Sequence, residues 1–183
     1  MFQGLKALRQ RNWHQVPFDL GELKAVVLSH AHLDHSGYLP RLVRQGFRRP
    51  IHCTAATADL LGAMLLDSAA LMEEEAERAN RYGYSRHHPA LPLYQREDAQ
   101  ATIALLRPHP YRSSFAAADG VRAQFRPAGH ILGSATVEVR TGGRPSTRLV
   151  FSGDLGRWDR PILHDPELVT RGDLLLLEST YGD

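Results

Sequence analysis

The feature that most constrains this chain is a knot of polar residues placed directly after an apolar run. Ala25-Val26-Val27-Leu28-Ser29 reads as a short buried strand, and Ser29-His30-Ala31-His32-Leu33-Asp34-His35 follows at once. Side chains two apart on an extended segment point to the same side. His30 and His32 can therefore reach one metal ion together. Asp34 and His35 come where the chain turns toward a helix and can point at a neighbouring position. Packing is a poor explanation for such a cluster, because every buried imidazole or carboxylate needs a partner and crowding multiplies that cost. Imidazole nitrogens with a carboxylate are a ligand set that suits zinc.

Two later elements extend the set. His130 lies in Ala128-Gly129-His130-Ile131-Leu132-Gly133-Ser134-Ala135, between two strands and flanked by glycines. Asp154 lies in Phe151-Ser152-Gly153-Asp154-Leu155-Gly156, at the end of an apolar strand. Each alone reads as a turn residue. Beside the first motif, both become ligand candidates, and the glycines let backbone approach the centre closely.

The surrounding pattern predicts an α/β domain. Strands are expected at 25–29, 51–53, 121–126, 135–140, 148–152 and 174–178. Helices are expected from about Gly37 to Gln45, with Gly46 at the C-cap, from Ala55 to Asn80, and from about Arg96 to Leu106. On the long helix, Leu60, Leu61, Met64, Leu65, Leu71 and Met72 are expected on one apolar side, with Glu73–Glu77 as a solvated face. Leu174–Leu177 is apolar on both faces and is expected to need a neighbouring strand on each side.

Composition narrows the class. At 183 residues and 43% hydrophobic, the chain can build a core. The net charge of +2 neither demands nor excludes a nucleic acid. Arg41, Arg44, Arg48 and Arg49 follow the metal motif and could meet a nucleic-acid backbone, but scattered solvated arginines explain them as well. One cysteine, Cys53, allows no intrachain disulfide and reads as a small buried thiol in a strand. No apolar stretch reads as long enough to span a bilayer, and the N-terminus lacks a signal-peptide core, so a soluble cytoplasmic protein is expected.

The series His30-x-His32-x-Asp34-His35, then His130, then Asp154, resembles the ligand series of the metallo-β-lactamase fold superfamily. The chain's end, Leu177-Glu178-Ser179-Thr180-Tyr181-Gly182-Asp183, resembles the first motif of the β-CASP nuclease branch, in the form carried by its RNA-acting members. The resemblance implies a partial αββα sandwich and two zinc ions. His30, His32 and His130 would hold one zinc, Asp34 and His35 the other, and Asp154 would bridge them. The pair would share a hydroxide that attacks a phosphodiester in RNA. Asp34 and Glu178 are the residues of this set given catalytic roles, Glu178 by orienting a histidine of a further domain. RNA is the expected partner, no membrane is expected, and protein partners, a homodimer among them, are left open.

The resemblance also implies missing parts. Family members begin with strands before a Phe-Gln-Gly segment, which stands here at Phe2–Gly4, directly after Met1. The β-CASP domain would follow residue 183. Residues 1–183 are therefore expected to be one metallo-β-lactamase domain of a larger protein, truncated at both ends and inactive alone. Two other readings stay open: another hydrolase of the same fold, of thioesterase or lactonase type, and a non-catalytic zinc-stabilised RNA-binding scaffold.

Overall fold

Val26–Val27 (β1), Ile51–Thr54 (β2) and Leu106–His109 (β3) form a parallel sheet in the order β1-β2-β3. The computed structural model describes residues 1–2 and 6–180. β2 is buried along its whole length, as a central parallel strand requires. Cys53 sits there with no exposed surface, and burial pushes its thiol up to about 12. Pro108 is tolerated on β3 because that strand is at the edge, where a missing N–H breaks no ladder.

A second sheet runs Ser114–Ala118 (β4), Val121–Pro127 (β5), Ala135–Thr141 (β6), Arg148–Phe151 (β7) and Leu174–Leu176 (β8), in that order. It is antiparallel from β4 to β7, and β8 joins β7 in parallel. Ala123, Phe125 and Pro127 alternate inward along β5. Phe115, Phe125, Ala135 and Val137 form a core, with Val27 and Phe151 packed against it. Burying a side chain such as Phe125, which is fully enclosed, is worth about 1.5–3 kcal/mol. The Ala135 N–H donates to Ser29 O at 2.9 Å and so ties β6 to the segment that follows β1.

Both sheets belong to one of two compact units, made of Lys24–Ala31, Arg49–Asp59 and Leu106–Asp183. The other, of Met1–Leu23, His32–Arg48 and Leu60–Leu105, is helical. It holds Lys6–Arg9 (α1) with a 3-10 turn at Gln10–Trp13, Leu33–Ser36 (α2), Leu39–Arg44 (α3), most of Ala55–Tyr82 (α4), and Arg96–Ala104 (α5). The mixed α/β class expected from the sequence is what the chain adopts.

Several elements differ from expectation. The helix placed at 37–45 is Leu39–Arg44, and an unexpected turn of helix, α2, precedes it at Leu33–Ser36; Pro40 has no N–H to continue a ladder from α2. The Gly37 N–H closes α2 on Leu33 O, and the Leu42 N–H opens α3 on Tyr38 O. α3 ends in a Schellman motif, with Gly46 N–H donating to Val43 O and Phe47 N–H to Leu42 O. The helix expected to reach Leu106 stops at Ala104, and Leu106 starts β3 instead. β3 and β4 carry no clean alternation and were not expected as strands.

On α4 the buried stripe is Leu61, Leu65, Ala69, Ala76 and Ala79, while Leu71 is exposed. Leu71 lies six residues after Leu65, about 240° round the helix and off that stripe. α4 is also long and apolar enough, by length and composition alone, to cross a membrane, against the expectation that no stretch would be. Its buried stripe is the pattern of a helix packed on protein. β8 differs too: it pairs only with β7 among the described residues, and Leu174–Leu177 are each at least half exposed.

Candidate metal centre

His30, His130 and Asp154, all in the sheet-bearing unit, each offer one ligand atom, and these atoms lie within 4.8 Å of one another. His30 Nε2 lies 3.7 Å and His130 Nε2 3.4 Å from the same oxygen, Asp154 Oδ2. The two imidazoles meet edge to face, centroids 5.2 Å apart. Tetrahedral ligands at about 2.0–2.2 Å from one ion stand roughly 3.3–3.6 Å from each other, so these spacings are those of groups flanking a shared cation. The donor chemistry, imidazole nitrogen with carboxylate oxygen, fits such an ion.

Each ligand candidate is held from behind. His30 is wholly buried, and its Nδ1 lies 3.0 Å from Ser29 Oγ, which leaves Nε2 facing the centre. His130 sits in a turn stitched by Ser134, whose hydroxyl accepts the N–H groups of His130 and Ile131 at 3.0 and 3.2 Å. The Tyr111 hydroxyl donates to Ser134 O at 2.9 Å. His32 is fixed by its carbonyl, which accepts the N–H groups of His35 and Ser36 at the start of α2.

The Asp154 turn has the densest support. Gly153 adopts φ 59°, and a Cβ there would press on Ser29 and on the carbonyl of Ala135. Gly156 passes so close to Gly129 that a Cβ would overlap the Gly129 carbonyl oxygen. Only glycine allows the Asp154 turn and the His130 turn to lie together this tightly. The Ser152 N–H donates to Leu176 O, and Thr136 Oγ1 donates to Ser152 O.

Asp34 and His35 lie in the first turn of α2, in the helical unit, with Asp34 Oδ2 3.4 Å from His35 Nε2. Glu178 accepts the Leu155 N–H and the Thr180 hydroxyl, so among the described residues it braces the Asp154 turn. Tyr181–Asp183 of the end motif and Gln3–Gly4 of the opening one lie outside the described residues. The supports Ser29, Ser134 and Tyr111 were not singled out from the sequence. Only Ser29, adjacent to His30, left a signal there.

The arginines after the metal motif take internal partners. Arg41 donates to Leu93 O and Trp13 O and lies over the Trp13 ring. Arg44 donates to Pro92 O, and Arg48 caps the carbonyls of Val43 and Phe47. These contacts favour the structural reading of those three side chains over a phosphate surface.

The sequence matches the beta-lactamase superfamily domain over residues 2–183. The chain belongs to the beta-lactamase superfamily. Among its curated relatives in that superfamily, the ribonuclease TTHA0252 of Thermus thermophilus is 38% identical over 183 residues. That match covers 100% of this chain and 37% of the relative. The transcription termination factor FttA of Methanothermobacter thermautotrophicus is 33% identical over 166 residues, 90% of this chain and 24% of the relative. The FttA of Cenarchaeum symbiosum is 31% identical over 173 residues, 93% of this chain and 24% of the relative. The chain thus spans little more than a third of the length of the first of these superfamily members and about a quarter of the others.

Proposed function

We propose that the protein is a zinc-dependent ribonuclease of the β-CASP type, hydrolysing phosphodiester bonds in RNA. The observation that carries this reading is the meeting of His30, His130 and Asp154 at one point, in a chain whose whole length is similar to a protein named a ribonuclease. Because the relatives are much longer, the activity is proposed for the protein at their length, with residues 1–183 supplying its metallo-β-lactamase domain.

In this reading His30, His32 and His130 would hold one zinc, Asp34 and His35 would hold a second, and Asp154 would serve both. Bound zinc supplies Lewis-acid activation of water near neutral pH. Ser29 keeps the His30 ring oriented, and the Ser134 turn keeps His130 aimed, so the chain presents preformed donors to the metal. Asp34 would take part as a ligand of the second zinc. Glu178 takes part by holding the Asp154 turn through Leu155. RNA is the proposed substrate and the cytoplasm the proposed location.

The test is cleavage of end-labelled single-stranded RNA by the purified protein at its relatives' length. Cleavage is expected with zinc, and it should vanish with a chelator or in Asp154→Ala. Hydrolysis of thioesters or lactones with RNA left intact would replace this reading by the esterase-type alternative. Zinc-dependent RNA binding without turnover would favour a scaffold.

A further inference from the structure

Two residues after Asp154 the chain enters a loop whose two ends are pinned to consecutive carbonyls of the strand leading to His130. The Gly156 N–H donates to Ala128 O at 2.8 Å, and the Glu167 N–H donates to Pro127 O at 2.9 Å. Arg112 and Arg126 both pair with the Glu167 carboxylate. Inside the loop, the Asp159 N–H donates to Asp165 Oδ1 at 2.9 Å. The loop is therefore an anchored structure fixed to both turns of the metal centre.

What it displays is unusual for a solvated loop. Trp158 is 57% exposed and Ile162 86% exposed, while Arg157 and Arg160 stand on either side of the tryptophan in sequence and face solvent. Lone apolar residues at the surface need no explanation, but an exposed aromatic between two arginines is the composition that binds single strands, by stacking and phosphate contact. On the loop's other limb, Leu163 and His164 wall a cavity of about 340 Å³ together with Tyr111 and the Gly129–Ser134 turn that carries His130. The rings of Tyr111 and His164 meet edge to face at 5.9 Å.

We propose that the 156–167 loop is the surface on which single-stranded RNA lies beside the metal centre. Trp158 stacks on a base, and Arg157 and Arg160 contact backbone phosphates. This rests on the ribonuclease reading for its choice of ligand. The pinning at Ala128 and Pro127 gives the surface a fixed position relative to His130 and Asp154, which a strand-guiding element needs.

The experiment reads binding rather than cleavage. The chain has two tryptophans, Trp13 and Trp158, so a Trp13→Phe variant reports on Trp158 alone. It is titrated, in chelator, with an unstructured oligouridine of about ten nucleotides. Saturable quenching of Trp158 fluorescence is expected. Trp158→Ala should weaken binding of a labelled oligonucleotide roughly 5- to 150-fold, the range seen for loss of one stacked base. Arg157→Ala and Arg160→Ala should each flatten the dependence of log affinity on log salt by about 0.7. Unquenched Trp158, wild-type affinity in Trp158→Ala, or equal affinity for duplex RNA would overturn the proposal. In the protein at its relatives' length, cleavage that proceeds with no dependence on Trp158 sinks this proposal alone. In that same longer protein, Trp158-dependent binding without metal-dependent cleavage sinks the ribonuclease reading and leaves this surface standing.

Discussion

Glu178 Oε1 accepts the backbone N–H of Leu155 at 2.5 Å, so a carboxylate from beyond β8 holds the residue that follows Asp154. The Glu178 N–H donates in turn to Ser152 Oγ at 3.0 Å, on the other side of Asp154. The aspartate is thus bracketed by one residue 24 positions later in the chain. Removing an outer support of a metal ligand weakens metal binding by about 10- to 100-fold. Glu178→Ala is expected at the low end of that range, because water can reach the exposed Leu155 N–H. Glu178→Gln keeps an acceptor oxygen and should recover most of the loss. Zinc titration against a competing chelator measures both. Unchanged affinity in Glu178→Ala would show that the turn holds itself.

His52 and His109 form a second histidine pair, with His52 Nδ1 2.9 Å from His109 Nε2. One ring must accept in that bond, so the pair cannot be doubly protonated and keep it. Burial holds His52 below its ordinary value of 6.5; the charges of His109 and Arg107 push the same way, and the Ala117 backbone opposes them. Burial lowers His109 as well. A folded value below the unfolded one means the unfolded chain takes up protons first. The pair's stability is therefore fully present above about pH 6.5 and is lost as pH falls through the lowered folded values. Urea midpoints from pH 8 to pH 5 should decline, and His109→Gln should make the decline shallower. An identical slope in that variant would contradict the assignment.

Gly156→Ala should disturb the centre without touching a ligand. Its Cβ would overlap the Gly129 carbonyl oxygen, which is backbone and cannot swing aside. Overpacking of this kind costs about 1–3 kcal/mol or more. A lower denaturation midpoint is expected, together with weaker zinc binding, because the His130 and Asp154 turns must separate. Gly62→Ala, at an open site inside α4, is the matched control: zinc binding should be unchanged and the midpoint should hold or rise slightly, because alanine favours a helix interior over glycine.

The β8 edge should promote association. Leu175 is 58% exposed on a strand bonded on one side only among the described residues. Exposed apolar edges recruit other strands, and a lysine blocks them. For residues 1–183, Leu175→Lys should raise the concentration at which light scattering begins. Scattering that sets in at the wild-type concentration would place the sticky surface elsewhere.

The sequence by itself determined the α/β class, the strand before His30 and the residues worth watching as ligands. Those features are local: a period of two in β5 and β6, an apolar run ending in histidines, glycines around His130 and Asp154. What it could not decide depends on approach in space. Whether His130 comes within reach of His30, a hundred positions earlier in the chain, depends on the bond from Ala135 to Ser29 and on two glycine turns packed against each other. The short helix α2 and the break after it at Pro40 were not read from the sequence, and neither were β3 and β4. Leu106–His109 becomes a strand because β2 offers it a ladder, not because its own pattern alternates. Glu178 is the clearest case. A carboxylate in a short motif says that something is held, and only the tertiary structure shows that it holds the Asp154 turn, because hydrogen bonding is settled by distance rather than by order along the chain.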